Sequence, residues 1–319
     1  MTTTIPIGGA ATEVTVAQAI EARSPWQLAW RRIRHDRVAL ISACYIALIA
    51  LLAIFAPVIA HIVGHGPDTE YLHTGLTPQG LPRPPSGTFV FGTDDLGRDL
   101  FVRTIYGARI SLLVGAASSL SAVTVGVAIG LLAGYFGGIV DVVLARLVDV
   151  VLSLPFLLAA IALEVVVGPS LLVSIFVIAF FSWAAVARIV RGQTLSIREN
   201  EFVEAARSLG ASDLRIMVID VLPNLAAPVI VYTTLLVPSA IVFEATLSFL
   251  GLGVVPPTPS WGNMLSESLG FYQVAWWFIT FPGLALLTTT LAFNLLGDSV
   301  RDALDPRGDR LLAAIRKRR

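Results

Sequence analysis

The chain has 319 residues, of which 55% are hydrophobic and 14% charged, and its mean hydropathy is +0.79. Soluble domains carry about 25% charged residues, so this composition excludes an ordinary soluble globule and points to lipid as the solvent for much of the surface. Net charge is zero, which excludes a general attraction to nucleic acid. The one lysine is Lys317, so no Gly-Lys-Ser/Thr phosphate loop can form.

In chain order, residues 1–37 read as a basic cytoplasmic leader carrying Arg23, Arg31, Arg32, Arg34 and Arg37, with 1–24 small and polar. The first apolar run, 38–63, is too long for the core of a secretory signal and lacks a following small-residue cleavage site, so an uncleaved anchor is expected. Five more runs reach the about 20 apolar residues that a crossing helix needs: 110–133, 148–167, 171–190, 225–250 and 274–296. Pro57, Pro155, Pro228, Pro238 and Pro282 fall inside these runs, where a bundle tolerates kinks because neighbours satisfy the freed carbonyls. The expected fold is all-α, a polytopic bundle of six transmembrane helices. Cys44, the only cysteine, reads as a small apolar residue and can form no internal disulfide.

Arginine placement sets direction. Arg146 lies between the second and third runs, and Arg188, Arg191, Arg198, Arg207 and Arg215 lie between the fourth and fifth. The tail 301–319 is basic, with Arg301, Arg307, Arg310, Arg316, Lys317, Arg318 and Arg319. On the other side, Arg83, Arg98, Arg103 and Arg109 are offset by Asp68, Glu70, Asp94, Asp95 and Asp99, and 251–273 holds only Glu267. The positive-inside rule therefore places both termini in the cytoplasm. The implied organisation is an extracytoplasmic loop at 64–109 and a core of five helices at 110–300, with a cytoplasmic loop at 191–224.

Residues 91–99 alternate charge with glycine and read as a tight turn into the second run. Asp94, Asp95 and Asp99 lack the spacing and closing glutamate of a calcium loop, so no metal is expected. The Pro/Gly-rich stretch 251–263 is expected to be non-helical, and Trp261, Trp276 and Trp277 to sit in an interfacial aromatic belt. Two carboxylates, Glu164 and Glu244, fall within membrane runs, where charge is costly. Either they line a translocation pathway or they are hydrogen-bonded interhelical contacts. Arg146 and Asp149 can pair on one helix face.

The loop at 191–224 carries a short helix from Glu201, capped by Asn200, with Phe202, Ala205, Ala206 and Leu209 as one apolar stripe. Gly210 suits the left-handed position after it, Ser212 or Asp213 restarts a helix, and Pro223 is expected to end that helix. A stripe this short needs something to pack on, whether its own bundle or a partner.

The pattern Glu204-Ala205-Ala206-x3-Gly210-x12-Pro223 resembles the EAA signature of type I ABC importer permeases. Residues 91–103, 130–138, 141–155, 247–253 (Leu-Ser-Phe-Leu-Gly-Leu-Gly), 256–265, 282–283 and 291–307 resemble, more narrowly, the "C" subunit of dipeptide/oligopeptide and nickel importer permeases. Residues 1–70 resemble it in character only. Asp220 departs from the signature, which has an aliphatic residue there. The resemblance implies the type I ABC importer permease fold, in the bacterial cytoplasmic membrane, and no enzymatic activity or bound cofactor in this chain. It implies a second permease subunit, two cytoplasmic ATPases holding ATP and Mg, and an extracytoplasmic binding protein. Substrates would be di- or oligopeptides, with nickel, glutathione-like or other small solutes as the alternative. Glu201, Phe202, Glu204, Ala205, Ala206, Arg207, Leu209, Gly210 and Pro223 would couple to the ATPase. A secondary transporter should show inverted repeats, which are not visible, and neither it nor a channel needs a charged docking loop. An intramembrane protease would need partners for His35, His61, His65 or His73 that no run supplies.

Overall fold

The computed structural model describes residues 25–304, and side chains from residue 27 onward; the expectations placed on 1–24 and on the tail beyond 304 lie outside them. Every regular element among the described residues is a helix: α1 (Pro25–His35), α2 (Arg37–Ile54), α3 (Ala56–Val63), α4 (Leu100–Phe136), α5 (Gly138–Ser153), α6 (Phe156–Val167), α7 (Leu171–Ile197), α8 (Glu201–Ser208), α9 (Asp213–Arg215), a π-helical turn (Ile216–Val221), α10 (Leu222–Phe249), α11 (Trp261–Ser268) and α12 (Trp276–Leu304). Hydropathy locates crossings rather than helices, so the expected outer loop 64–109 is too long. α4 already begins at Leu100, where the Asp99 carboxylate accepts from the Phe101 and Val102 amides. With 37 residues α4 is about 55 Å long, well beyond the hydrocarbon thickness.

α2, α4, α7, α10 (with the turn before it) and α12 are each long and apolar enough to cross a membrane. The third run is not one helix: α5 and α6 meet at 84° around Leu154-Pro155. Pro155 offers no amide donor, and it holds Leu154 extended (φ −78°, ψ 130°), so the helix stops there. Pro228, Pro238 and Pro282 instead remain inside their helices.

The packing of α4 on α7 requires the bent pair to cross. A Cβ on Gly126 would lie 2.5 Å from Val186 Cβ, one on Gly130 2.6 Å from the Ala187 carbonyl oxygen, and one on Gly134 2.6 Å from Thr194 Cβ. Numbers rise together on both helices, so α4 and α7 are parallel, and the chain between them must return across the bilayer. This Gly-x3-Gly-x3-Gly stripe lets the backbones touch, which is how helices associate when lipid removes the hydrophobic incentive. α10 packs antiparallel to α4, with Ile241 against Gly115 and Glu244 against Ser111.

Outside, residues 64–99 fold over the ends of α4 and α11. The alternating charges of this segment do make a tight turn: Asp94 Oδ1 accepts from the amides of Leu96 and Arg98. They also build a buried ionic cluster with a distant partner. Arg103 is fully buried, with Nε 3.2 Å from Asp94 Oδ2 and Nη2 3.3 Å from Glu267 Oε2, while its Nη1 donates to Pro67 O. Arg98 reaches Asp94 at 2.6 Å and Glu267 at 3.2 Å. Burial pushes the Glu267 carboxyl up, and the two guanidiniums pull it back. Asp94, Asp95 and Glu267 lie close enough to share a cation, but Arg98 and Arg103 already supply the positive charge.

Two outer expectations are corrected. Residues Trp261, Gly262 and Asn263 are helical, because the Ser260 hydroxyl accepts from the Asn263 amide and starts α11 just past the prolines. Trp261 is fully buried, donating Nε1–H to the Thr104 carbonyl, and Trp277 is buried with Nε1–H on Thr93 O. Of the three tryptophans only Trp276 is exposed enough for an aromatic belt.

Candidate coupling site

α8 projects from the end of the bundle where α4 and α7 finish. Its N-cap Asn200 has the expected extended backbone, but its side chain makes no capping bond. Gly210 follows the helix at φ +79°, the left-handed conformation that favours glycine. The inward residue is one that the stripe argument missed: Val203 has no exposed surface and belongs to the same buried cluster as Ile216, Met217, Val221 and Leu225, with Ala206 half-buried beside it. The expected stripe therefore splits. Phe202, Ala205 and Leu209 face outward, Leu209 88% exposed, with Glu201, Glu204 and Arg207 also exposed around them.

The return from α8 is short. α9 is one turn, and the chain then widens into the π-helical turn holding Asp220, half-buried, whose carbonyl accepts from Asn224 Nδ2 at 2.7 Å. Pro223 does not end this segment. It is exposed in the first turn of α10, where its missing amide costs nothing. Such π turns interrupt the regular helical ladder and recur at functional sites.

Salt bridges brace the adjoining helices. Arg191 makes two bonds to Asp141, one of them Nη2 to Oδ2 at 2.8 Å, and Asp149 accepts from Arg188 at 2.7 Å while also lying 3.8 Å from Arg146, the pair expected from spacing. They tie α7 to α5 beneath the loop.

The two membrane carboxylates are fully buried. Glu244 accepts from Ser111 of α4 and Ser248 of its own helix, both at 2.8 Å. Glu164 accepts from Ser174 at 2.9 Å across the α6–α7 turn, while its Oε2 has no partner. Neither lies near α8, and the geometry around Glu244 is that of a helix–helix contact. Glu244→Gln, which keeps an acceptor for Ser111, is expected to transport like the wild type at acid and neutral external pH. A pH-dependent loss in uptake assays would instead favour a pathway role.

A polytopic bundle from whose end a short helix projects, held by Val203 and Ala206 with an apolar ridge left exposed among the described residues, is the architecture of a membrane transport subunit. Residues 126–310 match the family described as binding-protein-dependent transport system inner membrane component. Residues 24–77 match the N-terminal TM domain of oligopeptide transport permease C, so the resemblance of the N-terminal region goes beyond character. The chain is 41% identical to the dipeptide transport system permease DppC of Alkalihalophilus pseudofirmus, covering 90% of this chain and 91% of that one. It is 44% identical to the oligopeptide transport system permease OppC of Escherichia coli K12 (90% and 93% covered) and 41% identical to the glutathione transport system permease GsiD of an Escherichia coli strain (90% and 92%). An inward-facing structure of the methionine ABC transporter MetNI superposes with a TM-score of 0.54 at 18% identity, over 65% of this chain and 98% of that one, which shows a shared fold. The chain belongs to the binding-protein-dependent transport system inner membrane components: it is a transport permease of the bacterial inner membrane rather than an enzyme.

Proposed function

We propose that this chain forms half of the translocation pathway of an ATP-driven importer of di- and oligopeptides, pairing with a second permease, two cytoplasmic ATPases and an extracytoplasmic binding protein. The observation that carries the coupling role is the split of α8: Val203 holds the helix to the bundle, and Phe202, Ala205 and Leu209 present an apolar ridge left exposed among the described residues. Its small alanines allow close approach, and Glu201, Glu204 and Arg207 form a charged rim. ATP-driven closure of the ATPases would swing this ridge and tilt the helices to which it is fastened. No cofactor is assigned to this chain; ATP and Mg belong to the partners.

Three substitutions test this. Leu209→Glu changes a side chain that is 88% exposed. Ala206→Glu crowds the half-buried edge. Gly210→Pro demands φ near −65° where the chain has +79°. Each is expected to abolish uptake and co-purification of the ATPase while the protein still inserts in the membrane. Normal uptake by all three would remove α8 from the coupling role.

The dipeptide, oligopeptide and glutathione relatives are 41%, 44% and 41% identical to this chain, so identity does not choose among their cargoes. Nickel and other small solutes stay as the second reading. Calorimetric titration of the cognate binding protein with a peptide library, with glutathione and with Ni²⁺ distinguishes these cargoes.

A further inference from the structure

Both chain segments that flank α8 are fastened to the same turn of α4. On entry, Arg198 Nη1 donates to the carbonyls of Gly134 (3.0 Å) and Tyr135 (3.4 Å), where the helix dipole favours a cation. On exit, the Tyr135 hydroxyl donates to Asp213 Oδ1 at 2.7 Å. Between them Arg207, on α8 itself, places its guanidinium 5.9 Å from the centroid of the Tyr135 ring. The Tyr135 hydroxyl beside it also holds the Arg207 guanidinium above its ordinary range.

Tyr135 is 4% exposed. Phenylalanine would fill the same volume, so what tyrosine adds is one directed bond to a carboxylate. At the other end of α4, Asp99 caps the helix and accepts a hydrogen bond from His65 Nδ1 at 2.5 Å, and Arg103 joins the ionic cluster of the outer lobe. No proline interrupts α4 between these two ends.

We propose that Tyr135 is a positioning residue for import: by gripping Asp213 and Arg207 it makes the coupling helix move with α4, so that events at the outer lobe reach the ATPase through one helix. This rests on the reading of α8 as the docking helix.

The experiment uses the full complex in nanodiscs, with the second permease, both ATPases and a binding protein loaded from a casein hydrolysate. Tyr135→Phe should leave co-purification and basal ATP hydrolysis unchanged and lower stimulation by the loaded binding protein about tenfold, the factor expected for one hydrogen bond to a charged group. Asp213→Ala should behave alike, Asp213→Asn should retain stimulation because its carbonyl still accepts from Tyr135, and the Tyr135→Phe/Asp213→Ala pair should be no worse than either alone. In the permease alone, Tyr135→Phe should also speed amide exchange across 201–213 while leaving the α4–α7 contact protected. Wild-type stimulation by Tyr135→Phe overturns the proposal, as does loss of assembly or of basal hydrolysis, which would make the residue merely structural. Failure of the wild-type chain to hold an ATPase would instead overturn the docking reading.

Discussion

Gly130→Ala is expected to destabilise the bundle by about 1–3 kcal/mol, although it adds a single methyl group to a helix. The added carbon would sit 2.6 Å from the Ala187 carbonyl oxygen, a backbone atom that cannot rotate away, so α4 and α7 must separate. Propensity alone predicts the opposite sign, since alanine is favoured over glycine inside a helix by up to about 1 kcal/mol. Gly192, in α7, supplies the control: a Cβ there meets nothing within 4 Å, and Gly192→Ala should be neutral or stabilising. Thermal unfolding of the purified protein in detergent measures both. A Gly130→Ala chain as stable as the wild type would mean that the α4–α7 contact is looser than its geometry.

Arg103→Met is expected to cost more, about 3–5 kcal/mol, because removing one member of a buried ionic cluster leaves Asp94 and Glu267 to share Arg98 alone. Arg103 has no exposed surface and contacts Asp94, Glu267 and the Pro67 carbonyl at once. Lysine should not rescue it, since one ammonium cannot reproduce the guanidinium fork. Asp94→Asn combined with Arg103→Met should recover part of the loss by removing the excess negative charge that Arg98 alone does not balance. Limited proteolysis of residues 64–99, together with thermal unfolding, reads the outcome. A protease-resistant outer lobe in Arg103→Met would show that the cluster is dispensable.

The reach of the sequence differs from residue to residue. The short helix α8 was legible because a charged segment between apolar runs stands out, and its cap chemistry places Gly210 at the left-handed turn. Which of its faces turns inward was not: Phe202, Ala205, Ala206 and Leu209 satisfy helical spacing, but Val203, on the flank of that stripe beside Ala206, fills the bundle. Periodicity identifies a stripe without saying whether that stripe faces its own chain or a missing partner. The glycine spacing at 126, 130 and 134 is present in the sequence, but spacing alone does not say which helix packs against it; the contact with α7 emerges only in the fold. Pro155 was legible as a proline inside a run, like Pro228, and local sequence gave no reason for one to break its helix by 84° and the other to be absorbed.

Length and hydropathy were enough by themselves for a polytopic membrane helix bundle, and charge marked the loop that carries the short helix between two apolar runs. Lipid and water sort residues by local composition, and local composition is written along the chain. Tertiary structure alone decided the rest: the burial of Trp261, the joining of Arg103 to Glu267 across 164 positions, and the grip of Tyr135 on Asp213 across 78. Those outcomes depend on which distant side chains can approach within hydrogen-bonding distance, a geometric condition that composition and periodicity do not contain.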